Sequence, residues 1–153
     1  NVSLMLVDNA LNCGFVSYGS RDLAGLSHAE IVPAYTQNTI DDFFSTIDVL
    51  LFPSQWKESF GLTVREALAR NVWVISTDAG GAVEDIIPGE NGYIIPLADR
   101  GEALRRAVID TLAYFDSIPP GEQVALSPKG ITFFEEQAAE LASILKEIAT
   151  PVV

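Results

Sequence analysis

Short apolar runs recur along the chain and predict β-strands. The clearest is Val49-Leu50-Leu51-Phe52, an unbroken run closed by a proline, as is typical of a strand covered on both faces. Pro33 lies late in the second run and favours a sheet edge or a strand end there. The predicted strands are residues 2–7, 29–35, 49–52, 72–77 and 93–95.

Amphipathic or capped segments between these runs predict helices. Asn38 or Thr39 is positioned to cap the first helix, and Asn71 follows the second, where asparagine tolerates a left-handed helix stop. The predicted helices are residues 39–46, 61–70, 83–87, 101–115 and 133–148. One apolar stripe of the last helix is expected to pack on the sheet, and it comprises Ala138, Leu141, Leu145 and Ile148. Residues 9–28 and 116–130 favour turns and loops.

Strands that alternate with helices predict an α/β fold, a Rossmann-like parallel sheet with helices on both faces. Residues 1–153 are interpreted as a single domain. Because an apolar run begins at the second residue, we expect a fragment, or a domain cut at its N-terminal edge. Such sheets bind ligands at the carboxyl ends of their strands. The loops of interest therefore follow Asp8, Tyr35, Phe52, Thr77 and Ile95.

Composition narrows the classes of function. The chain has 153 residues with 48% hydrophobic side chains, which excludes intrinsic disorder, and a formal net charge of −12. Nucleic-acid binding is disfavoured because it needs clusters of Lys and Arg. A single cysteine, Cys13, and a single histidine exclude an internal disulfide and metal sites rich in these residues; Cys13 is expected to be buried. No apolar run reaches the roughly 18 residues of a membrane span, and a cytoplasmic location is expected.

The segment after Phe52 has the chemistry of an anion-binding loop. A strand leads through a loop with Gly61 to a helix N-terminus, where free N–H groups and the helix dipole favour a diphosphate. Gly61 would let a ligand approach the backbone. Glu66 in the helix can accept hydrogen bonds from a ribose diol, and Glu58 from a sugar. An ordinary alternative stays open, in which Glu66 pairs with Arg70 on a solvated helix and Glu58 is a surface charge.

Ordered motifs in this region resemble a known family. The first group is Pro53-Ser54, Trp56-x-Glu58-x-Phe60-Gly61-Leu62 and Glu66-Ala67. Later matches are Ile47-Asp48-Val49, Val74-Ile75-Ser76-Thr77 with Gly80-Gly81 and Glu84, and Glu90-Asn91-Gly92-Tyr93 with Pro96 and Asp99. Residues 29–149 resemble the C-terminal half of retaining glycosyltransferases of the GT-B fold, with Glu58 and Glu66 in the family's Glu-x7-Glu spacing. The similar family is group 1, which contains sucrose and glycogen-type synthases and bacterial mannosyl- and glucosyltransferases.

The resemblance implies a role for each matching residue. Glu58 is the catalytic candidate and would face the donor sugar hydroxyls, and Glu66 would bind the ribose. Tyr35 would lie in the base-binding loop. Gly80 and Gly81 would line the sheet edge near the cleft, or would form only a tight turn. The segment that would meet the sugar and diphosphate is Ser59, Phe60, Gly61, Leu62 and Thr63. The resemblance implies a nucleoside diphosphate sugar as donor, without a metal or other cofactor.

By the same resemblance, the full enzyme transfers a sugar to a hydroxyl acceptor with retention, in polysaccharide or glycolipid assembly at the inner membrane surface. The family's cationic Gly-Arg…Lys segment and its N-terminal acceptor-binding domain, the expected partner, have no match in residues 1–153, and residues 1–28 are atypical. The fragment is therefore expected to be inactive alone. Two alternatives stay open. One is a non-catalytic module of this fold that serves binding or assembly. The other is a nucleotide-sugar epimerase, against which the Glu-x7-Glu spacing argues.

Overall fold

The computed structural model describes residues 2–98, 101–119, 122, 126 and 134–149. The chain divides into two compact units, residues 1–46 and 47–153. Each unit has its own sheet among the described residues, and every strand pair in these sheets is parallel. The prediction of a Rossmann-like α/β fold with parallel strands flanked by helices is confirmed.

The first unit has a two-stranded parallel sheet. Its elements are β1 (Leu4–Val7), a 3-10 helix (Asn9–Cys13), α1 (Tyr18–Leu23), β2 (Ala29–Val32) and α2 (Ile40–Phe44). The strands pair in register from Leu4 with Ala29 to Val7 with Val32. Residues 9–28, expected to be loops, thus contain two short helical segments that connect the strands.

Asp8 fixes the start of this connection. Its Oδ1 accepts a hydrogen bond from the Ala10 N–H at 2.9 Å, and its Oδ2 accepts one from the Ser17 N–H at 2.7 Å. Burial acts to raise the pKa of Asp8, but hydrogen bonds from Ser17, Ser20 and Ala10 outweigh it and lower the pKa to about 2. The ionised carboxylate is therefore the form that the folded unit favours.

The second unit has three parallel strands in the order β3-β4-β5. Its elements are β3 (Val49–Phe52), α3 (Leu62–Leu68), β4 (Trp73–Thr77), a 3-10 helix (Gly81–Val83), β5 (Gly92–Ile95), α4 (Glu102–Asp116) and α5 (Phe134–Ala149). The central strand β4 is buried along its whole length, as its apolar sequence predicts. Asn71 has φ 63°, so the predicted left-handed stop after α3 is confirmed.

Both faces of β4 are covered by helices. Trp73 and Ile75 point to one face, where they cluster with Ala107 of α4. Alternation along the strand directs Val74 to the opposite face. There α3 contacts β3 and β4 and buries Val64, Ala67 and Leu68. This packing places the loops after β3 and β4 side by side at the carboxyl ends of the strands.

The predicted helix over residues 83–87 is wrong. An α-helix there would need the Ile87 N–H to donate to the carbonyl of Val83. That N–H instead donates to Asn91 Oδ1 at 2.7 Å, while Asn91 Nδ2 donates to the Asp85 carbonyl at 3.1 Å. The buried Asn91 side chain thus replaces helical hydrogen bonds and leaves only the 3-10 turn at Gly81–Val83.

The predicted packing of the last helix on the sheet is also wrong. Every residue of α5 is exposed, including the stripe of Ala138, Leu141, Leu145 and Ile148. The faces of β4 are covered by α3 and α4 instead. Phe133, where this helix was expected to begin, and Asp99, one of the ordered motif matches, lie outside the described residues.

Candidate functional site

The β3–α3 loop (residues 53–61) is joined through its backbone to the segment after β4. The Glu58 N–H donates to the Ala79 carbonyl at 2.6 Å, and the Gly81 N–H donates to the Glu58 carbonyl at 2.9 Å. These bonds make a parallel bridge between Glu58 and Gly80. Farther back in the loop, the Thr77 hydroxyl donates to the Ser54 carbonyl at 2.5 Å. The backbone of Glu58 is therefore fixed at the carboxyl ends of β3 and β4.

Three glycines permit this close approach. A Cβ at Gly81 would lie 2.1 Å from the Ser59 carbonyl oxygen, and one at Gly80, which has φ 90°, would lie 2.9 Å from the Glu58 oxygen. Gly61 has φ 67°, and its Cβ would lie 2.5 Å from Ala82 Cα. The sequence suggested that Gly61 leaves room for a ligand. The structure fills that room with Ala82 instead, so all three glycines hold one backbone segment against another.

The two predicted carboxylates follow β3 in turn, one in the loop and one in the helix. Glu58 is half-buried, and its Oε1 accepts a hydrogen bond from the Ser54 hydroxyl at 3.4 Å. Glu66 is half-buried on α3, and its backbone carbonyl accepts a hydrogen bond from Arg70 Nη1 at 3.0 Å. The Arg70 guanidinium thus contacts the helix backbone at Glu66.

Backbone donors lie between the two carboxylates. The Gly61 carbonyl accepts hydrogen bonds from the N–H groups of Val64 and Arg65, which closes the first turn of α3. The preceding N–H groups donate no hydrogen bond within the described part of the chain, and they belong to Phe60, Gly61, Leu62 and Thr63. Phe60 and Leu62 are exposed, and Thr63 is half-buried. Unpaired amides beside exposed side chains can donate to an anionic or hydroxylated ligand.

Tyr35 belongs to the first unit, after β2. Its ring packs on Phe43 at 4.8 Å and on Phe44 at 5.2 Å between centroids. This aromatic cluster accounts for the half-buried position of Tyr35. Its predicted place in a base-binding loop stays a prediction.

Arg65 was missed by the sequence reasoning. It forms ion pairs with Glu84 at 2.9 Å and with Asp85 at 2.7 Å, across the gap between α3 and the 3-10 helix. Partners that lie 19 or more positions apart in the chain produce no periodic pattern in the sequence, because only residues three or four apart are neighbours on a helix. In the sequence, Glu84 is recognisable only as one of the ordered motif matches.

No group of three or more His, Cys, Asp or Glu side chains among the described residues could hold a metal ion. Of the helices described, none is both long and apolar enough to cross a membrane.

The chain is similar to proteins of a known family. The model of the family described as glycosyl transferases group 1 matches residues 21–114. The chain is 31% identical over 117 residues to the lipopolysaccharide core biosynthesis mannosyltransferase LpsB of Rhizobium meliloti, a match that covers 71% of this chain and 31% of that protein. It is 38% identical over 71 residues to the mannosyltransferase LpcC of Rhizobium leguminosarum bv. viciae, which covers 46% of this chain and 20% of that protein. The chain thus spans about a third or less of these relatives.

Solved structures share the fold. Sucrose-phosphate synthase from Thermosynechococcus elongatus superposes with a TM-score of 0.72 at 22% identity, covering 95% of this chain and 38% of that one. HepE from Anabaena, in complex with UDP-glucose, gives a TM-score of 0.58 at 21% identity, covering 97% of this chain and 40% of that one. At these identities the likeness concerns the fold alone.

Proposed function

Because the chain belongs to the group 1 glycosyltransferases, we propose that it is the donor-binding part of an enzyme that transfers a sugar from a nucleoside diphosphate sugar to a hydroxyl acceptor with retention. The observation that carries the proposal is the fixed loop after β3, whose backbone amides between Glu58 and Glu66 donate to no other described residue. Amides and carboxylates in this order match the alternation of phosphates and hydroxyls in a nucleotide-sugar. A non-catalytic module of the same fold remains the second candidate.

Each group of the site has a role in this proposal. The amides of Phe60, Gly61, Leu62 and Thr63 donate to the diphosphate and the adjoining sugar oxygens. Glu66 accepts hydrogen bonds from the ribose diol, and Glu58 accepts them from the donor sugar. Ser59, Gly80 and Gly81 keep the loop in place through the contacts described above. Tyr35 is assigned to base binding only by the family resemblance.

The proposed chemistry depends on the leaving diphosphate. Charge accumulates on its oxygens as the bond to the sugar breaks, and fixed N–H donors aimed at that charge lower the barrier. We propose attack of the acceptor hydroxyl from the same face that the diphosphate leaves, with that diphosphate accepting the proton, which retains the anomeric configuration. This route needs neither a protein nucleophile nor a cofactor.

The acceptor is proposed to bind to a separate domain of a longer protein. The relatives are about three to five times longer than the segments matched here, which leaves room for such a domain in them. The same two relatives are named as mannosyltransferases of lipopolysaccharide core biosynthesis. We therefore propose an envelope saccharide as the class of acceptor, and we expect no transfer by residues 1–153 alone.

The first test is binding of the donor. Calorimetry and thermal shift with UDP, GDP and ADP and their common sugar conjugates should identify one nucleotide that stabilises the chain. Glu66→Ala should weaken that binding about tenfold or more, because a hydrogen bond to a charged group is worth about 1.5–3 kcal/mol. Glu140→Ala, on the exposed surface of α5, is the matched control and should bind as wild type does.

Three results would decide between the candidates. Unchanged binding by Glu66→Ala would remove Glu66 from the ribose site while leaving a nucleotide site in place. A wild-type chain that binds no nucleotide or nucleotide-sugar would contradict the donor site and favour the non-catalytic module. Sugar transfer by the isolated chain would contradict the proposal of a separate acceptor domain.

A further inference from the structure

Arg65, in the middle of α3, has the nitrogens of its guanidinium directed at three partners in the segment after β4. Nη1 donates to the Gly81 carbonyl at 3.1 Å, Nη2 lies 2.9 Å from Glu84 Oε2, and Nε lies 2.7 Å from Asp85 Oδ2. The side chains of Arg65 and Asp85 are each 15% exposed. Charge-assisted bonds in such a shielded place are short and directional, so they fix the plane of the guanidinium.

The face of the same guanidinium covers Phe60. Arg65 Cζ lies 3.9 Å from the centroid of the Phe60 ring, within the range of a cation–π contact. Phe60 is 49% exposed, so the core of the unit does not hold this ring. The position of the ring therefore depends on its contact with Arg65. Phe60 lies in the loop between Glu58 and Gly61.

Gly81 connects Arg65 to Glu58. The Gly81 N–H donates to the Glu58 carbonyl at 2.9 Å, and the Gly81 carbonyl accepts from Arg65. The two backbone segments are in direct contact, since a Cβ at Gly81 would overlap the Ser59 carbonyl oxygen. A shift of Gly81 would therefore shift the backbone of Glu58.

We propose that Arg65 is a positioning residue, which holds Phe60 and Gly81 so that Glu58 and its neighbouring amides stand correctly for the donor sugar. This inference rests on the proposed donor function. Glu66 depends less on these contacts, because the buried residues Val64, Ala67 and Leu68 anchor its helix to the sheet. Loss of the Arg65 geometry should therefore impair recognition of the sugar more than recognition of the nucleotide.

Arg65→Lys is the sharpest test. Lysine keeps the positive charge, but its ammonium cannot reproduce the planar fork or its stacking. Calorimetry would compare UDP with UDP-glucose, GDP with GDP-mannose and ADP with ADP-glucose, and the pair that wild type binds would be used. The ratio of the Kd for the sugar nucleotide to the Kd for the nucleotide should rise about tenfold or more, because a displaced Glu58 would lose charge-assisted hydrogen bonds to the sugar.

Two further variants support this comparison. Arg105→Lys, on the exposed face of α4, is the matched control and should leave the ratio unchanged. Phe60→Leu removes the ring that Arg65 covers, at a position exposed enough to tolerate the change, and should shift the ratio in the same direction. This variant keeps the proposal testable if Arg65→Lys does not fold.

Hydrogen exchange supplies a readout that needs no ligand. In Arg65→Lys the amides of Glu58 and Gly81 should exchange faster, while the Val74 amide, bonded to the Asn91 carbonyl within the core, should not change. Faster exchange with an unchanged ratio would reduce Arg65 to a structural role and overturn the proposal, as would no change in either. A changed ratio with unchanged exchange would indicate direct contact with the donor and overturn it too.

The two proposals fail in different ways. If wild type binds none of the probes, the donor function fails and the assigned role of Arg65 fails with it. If wild type binds a probe pair and Arg65→Lys keeps the wild-type ratio, only the inference about Arg65 fails.

Discussion

Asp8 follows the apolar run of β1 and accepts hydrogen bonds from the backbone of the two short helical segments beyond it. Hydrogen bonds from N–H groups stabilise the ionised form of a carboxylate more than its protonated form. Here they outweigh the effect of burial and lower the pKa of Asp8 to about 2 from an ordinary value of 3.8. The connection between β1 and β2 is thus stabilised by a charge that acid removes.

We predict a loss of stability in acid that is specific to Asp8. Because the folded pKa lies below the unfolded one, the contribution is complete above about pH 4 and is lost as pH falls through about 2. Asp8→Asn should be less stable than wild type near neutral pH, and the difference should shrink towards pH 2. Urea unfolding at a series of pH values measures this, with the exposed Asp22→Asn as control. A difference that does not vary with pH would contradict the prediction.

Single residues also show where sequence reasoning stops. The left-handed position of Asn71 was predictable, because it depends only on the residue type and its place after a helix. Cys13 was expected to be buried and is exposed, because burial depends on which side of a short 3-10 helix packs. The partners of Arg65 lie 16 to 20 positions away in the chain, and neither periodicity nor capping rules reach so far.

At the scale of elements, β3, β4 and β5 were predictable to within one residue, whereas β1 begins two residues after its predicted start and β2 ends three residues before its predicted end. Each apolar run ends at a polar, proline or glycine position, and these positions end β3, β4 and β5 in the structure. The failures occurred where a side chain competes with the backbone, as Asn91 does near Ile87, or where an apolar stripe stays exposed among the described residues, as in α5. Of the candidate site, the β3–α3 loop and the two carboxylates could be predicted from the sequence. The backbone contact that holds this loop against the segment after β4 could not.

That contact between loops makes a prediction about Gly81. Gly81→Ala should lower the free energy of unfolding by about 1–3 kcal/mol, because the new methyl group would overlap the Ser59 carbonyl and force the loops apart. Gly25→Ala is the control, since a Cβ there meets nothing within 4 Å and its φ is ordinary. Denaturant unfolding measures both. Equal stability of the two variants would show that the loops separate at little cost.

At the scale of the whole molecule, the net charge of −12 opposes the approach of an anionic ligand. The proposed site counters this locally, with backbone amides rather than a cluster of cations. Repulsion from distant charges is screened by salt, whereas short hydrogen bonds within the site are screened much less.

This difference predicts an unusual salt dependence. The affinity for the nucleoside diphosphate that binds should rise about two- to threefold between 0.01 and 0.15 M ionic strength, as screening removes the long-range repulsion. Calorimetry at constant pH measures it, with an uncharged nucleoside of the same base as the control, whose affinity should hardly change. A fall in affinity with salt would indicate that cations, rather than amides, hold the phosphates.

The contacts that hold Ser54, Glu58 and Phe60 in place have a consequence for the kinetics of ligand association. A loop that is already fixed by its own chain has little ordering entropy to lose when a ligand arrives. Association should then follow a single bimolecular phase, linear in ligand concentration, without a slow rearrangement afterwards. The β3–α3 loop would then act as a rigid template for its ligand.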